Sequence, residues 1–334
     1  MHRSRVVGIY LCSALLLVTS ATSAAQSPSI GSAKKRAIAV TRGPYHGWPD
    51  ALTIRNGVVQ ATVVPAIGRV MQFRYIGEAG VFWENRPMEG KLPDPSSPQW
   101  GNFGGDKSWP SPQDDWEKMT GRPWPPPAAF DSMPNTAQMD GSAVILTSAV
   151  DPSYGIRTCR RIELSAGQPI MTIVTTYEKV KGDPVKVGVG VITQLRDPQR
   201  AFIVRAAHSR FPRGYVQLQF GPPHDLKVVD GLISLLRGHD TESQIGSDGS
   251  TLLWMNDRYV VRIESPRVEG AEYADQGSSV EIFTSQNPLA YVELETFGPL
   301  QTLRPGQSVQ RTNHYTLLRR TRKDPFDQAL VSIK

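Results

Sequence analysis

Short runs of alternating apolar and polar residues recur along most of this 334-residue chain. The clearest run is YVELETF at 291–297, where Tyr, Glu, Glu and Phe alternate with Val, Leu and Thr. A period of two residues is typical of a β-strand whose two faces meet different surroundings. Gly298-Pro299 ends this strand, and the Pro-Gly pair at 305–306 predicts a turn before a further strand at 308–318.

Similar β signals fill most of the remaining chain, and only the tail at 325–331 has a short helical pattern. The segments are rich in β-branched and aromatic residues, and turn signals such as Asn56-Gly57 separate them. The predicted strands cover residues 52–55, 58–64, 69–76, 81–83, 142–150, 156–164, 170–180, 185–195, 216–220, 251–254, 259–264 and 280–284. Because composition does not change along the chain, the pattern predicts an all-β fold, one large antiparallel β-sandwich over residues 37–334.

The strand pattern disappears between residues 85 and 135. This segment holds eleven of the 27 prolines and four of the seven tryptophans, at positions 100, 109, 116 and 124. Long loops without secondary structure are usually functional or disordered, and disordered segments are poor in aromatic residues. We therefore expect an ordered loop that folds over a ligand site. The alternative is that its tryptophans close one end of the sandwich.

The centre of this loop, WGNFGGDKSWPSPQ at 100–113, combines groups that suit a sugar. Asp106, Lys107 and Gln113 offer hydrogen-bond donors and acceptors for hydroxyl groups. Trp109 offers a flat apolar face for the C–H side of a sugar ring. The Gly-Gly pair allows the backbone to approach a ligand closely. The segment therefore predicts a saccharide partner that stacks on Trp109.

Glu293 and Glu295 share one face of the strand at 291–297. Residues two apart in a strand point the same way, roughly 6.5–7 Å apart at the backbone. A buried carboxylate is costly unless it is paired or put to use. The two acids therefore belong either to an exposed polar strand face or to a functional site.

The run LET, followed by a spacer, LRPGQ and a strand, resembles the C-terminal signature of aldose 1-epimerases (galactose mutarotases), where L-E-T-Q precedes L-x-P-G-E. The resemblance implies a galactose-mutarotase-like supersandwich with a sugar-sized groove on one sheet. It implies that Glu295 is the catalytic base and Glu293 a supporting, substrate-binding residue. Arg69, in AIGRV, matches the position of a groove arginine. Position 297 departs from the family, with Phe in place of Gln.

Two motifs, GGDKSWP at 104–110 and ELETFGPL at 293–300, resemble more closely an uncharacterised bacterial family of the same superfamily, domain of unknown function 4380. This resemblance spans residues 56–318, and that family supplies no reaction to carry over. Mutarotases also have one histidine on a central strand and another before the Gly-Gly pair. Here the central strand candidate at 189–194 has no histidine, and Asn102, a substrate-binding candidate, stands before the glycines. The proton donor is therefore unassigned, with Lys107 and Asp106 as candidates.

The first 25 residues have the three parts of a signal peptide: two arginines, an apolar stretch at 9–18 and small residues at 20–25. Residues 26–36 resemble a flexible leader, so we expect a periplasmic or secreted chain, without membrane insertion after signal removal. Losing the two arginines lowers the formal net charge from +6 to +4, since 35 basic residues then face 31 acids. This mild, scattered excess indicates no nucleic-acid partner.

No motif indicates a cofactor or a metal centre, and we expect neither. Cys159 is the single cysteine after residue 25, so no intramolecular disulfide is expected, and it is interpreted as a core thiol. Asp114-Asp115 is interpreted as a solvated turn, with a cation site or a glycosidase pair with Glu295 as the alternative. His314, in the last strand, is expected to be structural.

These patterns favour an exported carbohydrate-active protein, an aldose or uronate epimerase, that binds a saccharide in a groove and interconverts its anomers by acid–base catalysis. Two alternatives stay open. One is a sugar-binding module that has kept the groove and lost the acid, as the absent histidines favour. The other is an accessory sandwich for polysaccharide degradation. The sequence specifies neither the sugar nor the oligomeric state.

Overall fold

A computed structural model describes residues 37–94, 97 and 99–334 of the chain. The predicted signal peptide at 1–25 and leader at 26–36 lie outside these residues. In the described part the chain forms the strands β1 Ala39–Tyr45, β2 Trp48–Arg55, β3 Val59–Val64, β4 Arg69–Tyr75, β5 Asp106–Ser111, β6 Thr136–Asp140, β7 Ala143–Val150, β8 Ile156–Leu164, β9 Ile170–Lys179, β10 Val185–Arg196, β11 Arg200–Val204, β12 Val216–Phe220, β13 His224–Val229, β14 Leu232–Leu236, β15 Ser243–Ser247, β16 Thr251–Met255, β17 Tyr259–Glu264, β18 Val280–Thr284, β19 Tyr291–Phe297, β20 Gln301–Leu303 and β21 Ser308–Arg319.

The described residues also form short helices, α1 Trp116–Thr120, α2 Ala128–Asp131 and α3 Pro325–Ser332. The last confirms the helical pattern of the tail. It starts with Pro at its first position, and the side chain of Asp324 accepts hydrogen bonds from the N–H groups of Phe326 and Asp327. Within the described part of the chain, no helix has the length and apolar character needed to cross a membrane.

The strands pair into two large antiparallel sheets. The first follows the order β1-β2-β3-β4-β5-β10-β19-β18-β15-β12, and β20 also pairs with β10. The second follows the order β13-β14-β11-β16-β17-β21-β9-β8-β7-β6. Apolar side chains of both sheets, such as Val70 and Leu294 of the first and Ile173 and Tyr315 of the second, pack into one buried cluster. The predicted all-β antiparallel sandwich is therefore confirmed.

Strand positions agree best where the sequence alternates. The segments at 156–164, 216–220, 259–264 and 280–284 have the predicted bounds. The predicted strand at 81–83 is instead limited to an isolated bridge between Phe82 and Leu195. Strands such as β14, LISLL, and β15, SQIGS, have no alternation and are not predicted by the pattern.

The segment at 85–135 is not without secondary structure, which corrects the sequence prediction. It contains β5, which lies between β4 and β10 inside the first sheet. All six residues of β5, DKSWPS, are buried. A strand covered on both faces has no reason to alternate in polarity, and here the two buried charged groups, of Asp106 and Lys107, have ion-pair partners within the protein. The sequence pattern therefore did not predict this central strand.

Asn56 holds the hairpin turn between β2 and β3, as the Asn-Gly signal predicts. Its Oδ1 accepts hydrogen bonds from the N–H groups of Val58 and Val59, at 3.0 and 2.9 Å. Its Nδ2 donates to the carbonyl oxygens of Ser165 and Gln168, at 2.6 and 2.7 Å, in the turn between β8 and β9. One buried amide therefore ties a turn of the first sheet to a turn of the second.

Gly104 and Gly105 lie close to the chain's own backbone, whereas their sequence pattern predicted a close approach to a ligand. Gly104 has a φ of +91°, and a Cβ there would lie 2.3 Å from the carbonyl oxygen of Trp83. Gly105 donates its N–H to that same oxygen at 2.9 Å. Glycine is required here because the loop packs against the segment before it.

We expect Gly104→Ala to lower the free energy of unfolding by about 2 kcal/mol or more, because it adds a steric overlap to an unfavourable φ. Gly43→Ala is the matched control, since nothing lies within 4 Å of a Cβ there and its φ is not positive. It should change stability by less than about 0.5 kcal/mol. Urea unfolding measures both, and equal losses would contradict the close approach at Gly104.

Candidate functional site

The outer face of the first sheet carries a pocket of about 360 Å³. Its walls are mainly aromatic and are formed by Trp100, Trp109, Trp124, Phe220, Phe283 and Tyr291. Its polar groups are all amides and carboxyls, from Gln113, Gln219, Glu242, Gln244, Glu293 and Glu295. The pocket thus combines flat apolar surfaces with a few hydrogen-bonding groups, the usual character of a small-molecule site.

The alternation of β19 directs the two acids into this pocket. Val292 and Leu294 belong to the core between the sheets. Glu293 and Glu295 therefore point to the opposite face, where each is only 5% exposed. The prediction that they share one strand face is confirmed, and that face is a buried pocket floor rather than an exposed surface.

The register of the sheet places Lys107 and Glu295 in one cross-strand row. Ile192 of β10 pairs with Lys107 on one side and with Glu295 on the other. Glu281 of β18 continues the row beyond Glu295. Directly opposed residues of antiparallel strands point to the same face, so a lysine and two acids line this side of the sheet.

Lys107 is fully buried and forms an ion pair with Glu293, with 3.0 Å between Nζ and Oε1. Its ammonium group also lies 4.7 Å from the ring centre of Trp109 and 5.4 Å from that of Trp100. Burial lowers the pKa of Lys107, and the neighbouring Glu293 carboxylate opposes this effect. The lysine lies outside the pocket lining, so it holds Glu293 and does not face the pocket itself.

Glu295 has a different environment. Burial raises its pKa well above the ordinary value, Glu293 and Asp275 raise it further, and Lys107 opposes them. Among the described residues, its carboxyl group has no hydrogen-bond or ion-pair partner. The catalytic base suggested by the resemblance requires an adjacent arginine to keep Glu295 ionised. The structure places no arginine in the described pocket lining.

Arg69, the expected groove arginine, lies behind the pocket wall. It is fully buried and donates from Nη2 to Oδ1 of Asp131 at 2.8 Å and from Nη1 to the carbonyl oxygen of Gly104 at 2.8 Å. Asp131 also accepts hydrogen bonds from the indole N–H groups of Trp109 and Trp100, at 2.8 and 3.1 Å. The Arg69–Asp131 ion pair therefore positions two aromatic walls, and Arg69 itself does not line the pocket.

Asp106 is also placed away from the pocket, which corrects its candidacy as a substrate ligand or proton donor. Position 106 points to the interior between the sheets, one residue out of phase with Lys107. Its carboxylate accepts hydrogen bonds from Thr193 at 2.7 Å, from Tyr315 at 2.6 Å and from Arg160. These hydrogen bonds occupy the carboxylate. Because Arg160 and Tyr315 belong to the second sheet, Asp106 links the two sheets.

Two further predicted site residues, Gln113 and Asn102, also differ in whether they line the pocket. Gln113 lines the pocket and is exposed to it. Asn102 is buried behind Tyr291, whose hydroxyl group lies 3.5 Å from Asn102 Nδ2. Its Oδ1 has no partner among the described residues. Asn102 thus supports a wall of the pocket and does not line it.

The tryptophans of residues 85–135 fulfil both roles that the sequence left open. Trp100, Trp109 and Trp124 line the pocket. Trp116 is 1% exposed, packs 5.7 Å from the Trp109 ring centre and donates to the carbonyl oxygen of Pro110. It therefore closes the core beneath the wall. Trp124 is 41% exposed and is the most open ring of the four.

Sequence reasoning missed the opposite wall of the pocket. Gln219 and Phe220 of β12, and Glu242 and Gln244 at the start of β15, come from strands at the far edge of the first sheet. The i, i+2 spacing of Glu242 and Gln244 around buried Ser243 was the available signal, although the strand itself was not predicted. Burial and Glu293 raise the pKa of Glu242.

Other predicted chemistry does not reach this pocket. His314 is exposed on the second sheet, where its Nδ1 lies 3.1 Å from Thr172 Oγ1. Asp114 and Asp115 form a short 3₁₀ turn after Gln113. Cys159 is half-buried, and burial raises the pKa of its thiol. Across residues 37–94, 97 and 99–334, no group of three or more His, Cys, Asp or Glu side chains is arranged to hold a metal ion.

Comparison with known proteins gives structural relatives and no sequence relatives. No protein-family model and no curated protein matches the chain, so the resemblance to domain of unknown function 4380 stays a prediction. A galactose mutarotase-like protein from Lactobacillus casei ATCC 334 is similar, with a TM-score of 0.54 at 11% identity, over 80% of this chain and 100% of that one.

Two other solved structures agree. A candidate aldose 1-epimerase from Escherichia coli K12 has a TM-score of 0.52 at 11% identity, over 84% of this chain and 99% of that one. A candidate mutarotase from Salmonella typhimurium has a TM-score of 0.53 at 10% identity, over 84% and 94%. Identities this low show the fold alone. The chain has the galactose mutarotase-like fold that its C-terminal motif indicates.

Proposed function

We propose that the pocket binds a saccharide and that Glu293 and Glu295 interconvert its anomers by acid–base catalysis. One observation carries this proposal. Two carboxyl groups share the floor of an aromatic pocket, and their surroundings differ. Glu293 is ion-paired with Lys107, whereas burial and like charges raise the pKa of Glu295. Pairs of titratable groups with contrasting environments are typical of acid–base sites.

The pocket suits a single sugar ring. A volume of about 360 Å³ lies at the small end of ligand sites. The exposed Trp124 ring offers a face for the C–H side of the sugar, and the amides of Gln113, Gln219 and Gln244 can donate to and accept from hydroxyl groups. Such a mixture of stacking surface and neutral hydrogen-bonding groups supports recognition of a polyhydroxylated ring.

Anomer interconversion moves two protons. The Glu293 carboxylate takes the proton of the anomeric hydroxyl group, and the protonated Glu295 delivers one to the ring oxygen. The bond between the anomeric carbon and the ring oxygen breaks, which leaves an open-chain aldehyde. Rotation and ring closure on the other face reverse both transfers, so atoms and charges balance. Lys107 pairs with Glu293 and holds it in place.

This assignment exchanges the roles that the family resemblance suggests. The resemblance makes Glu295 the base and Glu293 the support. With Arg69 bonded to Asp131, no arginine of the described residues pairs with Glu295, whereas Lys107 pairs with Glu293. The absent family histidines are then replaced by a second carboxyl group on the same strand.

The test is polarimetric mutarotation with a panel of aldoses. We expect at least one sugar to equilibrate faster with the protein than in buffer. Binding without acceleration on any sugar would support the non-catalytic module instead, which the absent histidines favour. No binding at all would reject the proposal. The leader pattern supports export, so these assays should use the chain without residues 1–25.

Trp124→Ala should weaken sugar binding about tenfold, because its open face is the stacking surface proposed for the sugar. It should also lower the free energy of unfolding by about 0.5–3 kcal/mol, because the ring packs against Trp100, Trp109 and Trp116. Isothermal titration of the sugar identified by polarimetry measures the affinity. Val331→Ala, an exposed apolar position on α3, is the control and should leave affinity unchanged. Equal affinity in Trp124→Ala would show that the sugar does not stack on this wall.

A further inference from the structure

A second, smaller cavity adjoins the pocket at Glu295. It has a volume of about 30 Å³, and Glu295 and Gln244 line both spaces. Glu281 and Asp275 line only the smaller one, which we call the side cavity. Space of this size holds about one water-sized group. A substituent of a sugar bound against Glu295 could therefore enter it.

Glu281 has an unused acceptor in the side cavity. This side chain is 1% exposed, and its Oε2 accepts a hydrogen bond from Gln244 Nε2 at 2.8 Å. Its Oε1 is buried and has no partner among the described residues. An unpaired buried acceptor is costly, and more so when the group is charged. Glu281 Oε1 therefore lacks a hydrogen-bond donor among the described residues.

The charges around the side cavity indicate which kind of hydrogen-bond donor it would bind. Three carboxyl groups, of Glu281, Asp275 and Glu295, line the side cavity, and no lysine or arginine is among the described residues that line either space. Lys107, in the same strand row, is bonded to Glu293. Burial raises the pKa of Asp275 to about 6, with a smaller contribution from Asp114. Burial, Asp275 and Glu295 raise the pKa of Glu281. A cation in the side cavity would stabilise the carboxylates of Glu281 and Asp275.

A metal ion fits this cavity less well than an ammonium group. Calcium requires 6–8 oxygen ligands, typically at 2.3–2.6 Å. The described residues contain no carboxyl cluster arranged to hold a metal. An ammonium group is water-sized and has three N–H donors, which match a few carboxylate acceptors at ordinary hydrogen-bond distances.

We propose that the substrate is an amino sugar whose ammonium group occupies the side cavity and donates hydrogen bonds to Glu281 and Asp275. This inference rests on the proposed sugar-binding function. Glu295 borders both spaces and protonates the ring oxygen, which is bonded to the anomeric carbon. The amine therefore belongs on a carbon close to that oxygen, such as carbon 2 of the 2-amino-2-deoxyaldoses. Glu281 and Asp275 balance the ammonium charge, so Glu295 keeps its proton for the ring oxygen. Uronates and sugar phosphates are excluded by repulsion.

The experiment compares D-glucosamine, D-galactosamine and D-mannosamine with the matching neutral aldoses, the N-acetyl forms and glucuronate. Binding is measured by isothermal titration at about pH 6, below the ordinary range of an α-amino group, so that the amines are charged. We expect at least one amino sugar to bind about tenfold or more tightly than its neutral and N-acetyl counterparts, because charge-assisted hydrogen bonds are the stronger ones. Glucuronate should bind more weakly than glucose.

Two substitutions test whether the amino group binds in the side cavity. Glu281→Gln keeps the size and the contact with Gln244, and it should bring the amino-to-neutral affinity ratio close to one without weakening the neutral sugar. Asp275→Asn should lower the ratio as well, and Asn tolerates the positive φ of position 275. Glu163→Gln, an exposed acid of the second sheet, is the control and should leave the ratio unchanged.

The outcomes separate this inference from the proposed function. If neutral sugars bind as well as amino sugars, the amino-sugar inference is wrong while saccharide binding stands. A high ratio that survives both variants also overturns it, because the amine then binds elsewhere. Calcium that binds the parent and not Glu281→Gln would identify a metal site instead. If no sugar binds, the proposed function itself fails.

Discussion

Glu295→Gln is expected to lower kcat/KM for anomer interconversion by about 10²–10⁴-fold, the usual contribution of one acid–base group. Gln keeps the size of the side chain and its hydrogen-bonding groups but cannot donate a proton to the ring oxygen. The affinity for sugar should therefore change by less than about threefold. Polarimetry gives the rate and isothermal titration gives the affinity. Glu163→Gln, exposed on the second sheet, should leave both unchanged.

The pH profile distinguishes a proton donor from a structural residue. Glu295 is surrounded by Glu293, Lys107, Glu281, Asp275 and Glu242, and its pKa is raised. As a donor it is active below that pKa, so kcat/KM should fall as pH rises through it. Glu295→Gln should lose this alkaline limb. If the variant retains the parent rate and profile, Glu295 is not the donor; if activity rises with pH through this pKa, Glu295 is the base.

Asp131→Ala is expected to lower the free energy of unfolding by about 3–5 kcal/mol, because it leaves the Arg69 guanidinium buried without its partner. The substitution also removes the acceptor for the indole N–H groups of Trp100 and Trp109, so sugar affinity should fall with stability. Urea unfolding and near-ultraviolet circular dichroism measure the two effects.

The Arg42–Asp50 pair supplies the control for this prediction. Its atoms are 2.6 Å apart, about as close as those of Arg69 and Asp131, but both side chains are exposed. Asp50→Ala should therefore cost less than about 1 kcal/mol. Similar losses in the two variants would show that burial of the Arg69–Asp131 pair has little energetic consequence.

Part of the site could be predicted, because strand periodicity shows which residues share a face. Glu293 and Glu295 were placed on one face by their spacing, and the structure confirms this. Trp109 and Gln113 reach the pocket, although the strand that carries Trp109 was not predicted. β5 is covered on both faces, so its sequence does not alternate. Neighbouring residues of a strand point to opposite faces, so Lys107 turns toward the pocket side and Asp106 toward the interior. The local sequence does not show which of the two faces the pocket.

The sequence also could not show which charged side chains form ion pairs with each other. Arg69 meets Asp131 across 62 positions, and Lys107 meets Glu293 across 186. Such pairs form only when strands distant in the chain become neighbours, so the expectation that Arg69 is a groove arginine could not be tested from the local sequence. The far wall from β12 and β15 depends on sheet order in the same way.

The chain by itself determined the class of fold, most strand positions and the acid-bearing face of β19, because these depend on local polarity and turn chemistry. The tertiary structure alone decided which charges neutralise one another. It paired Lys107 with Glu293, tied Arg69 to Asp131, and placed Glu295 beside Glu281, where neither carboxyl group has a lysine or arginine partner among the described residues. Those pairings follow from sheet register and burial, which are properties of the assembled sandwich and not of any one segment.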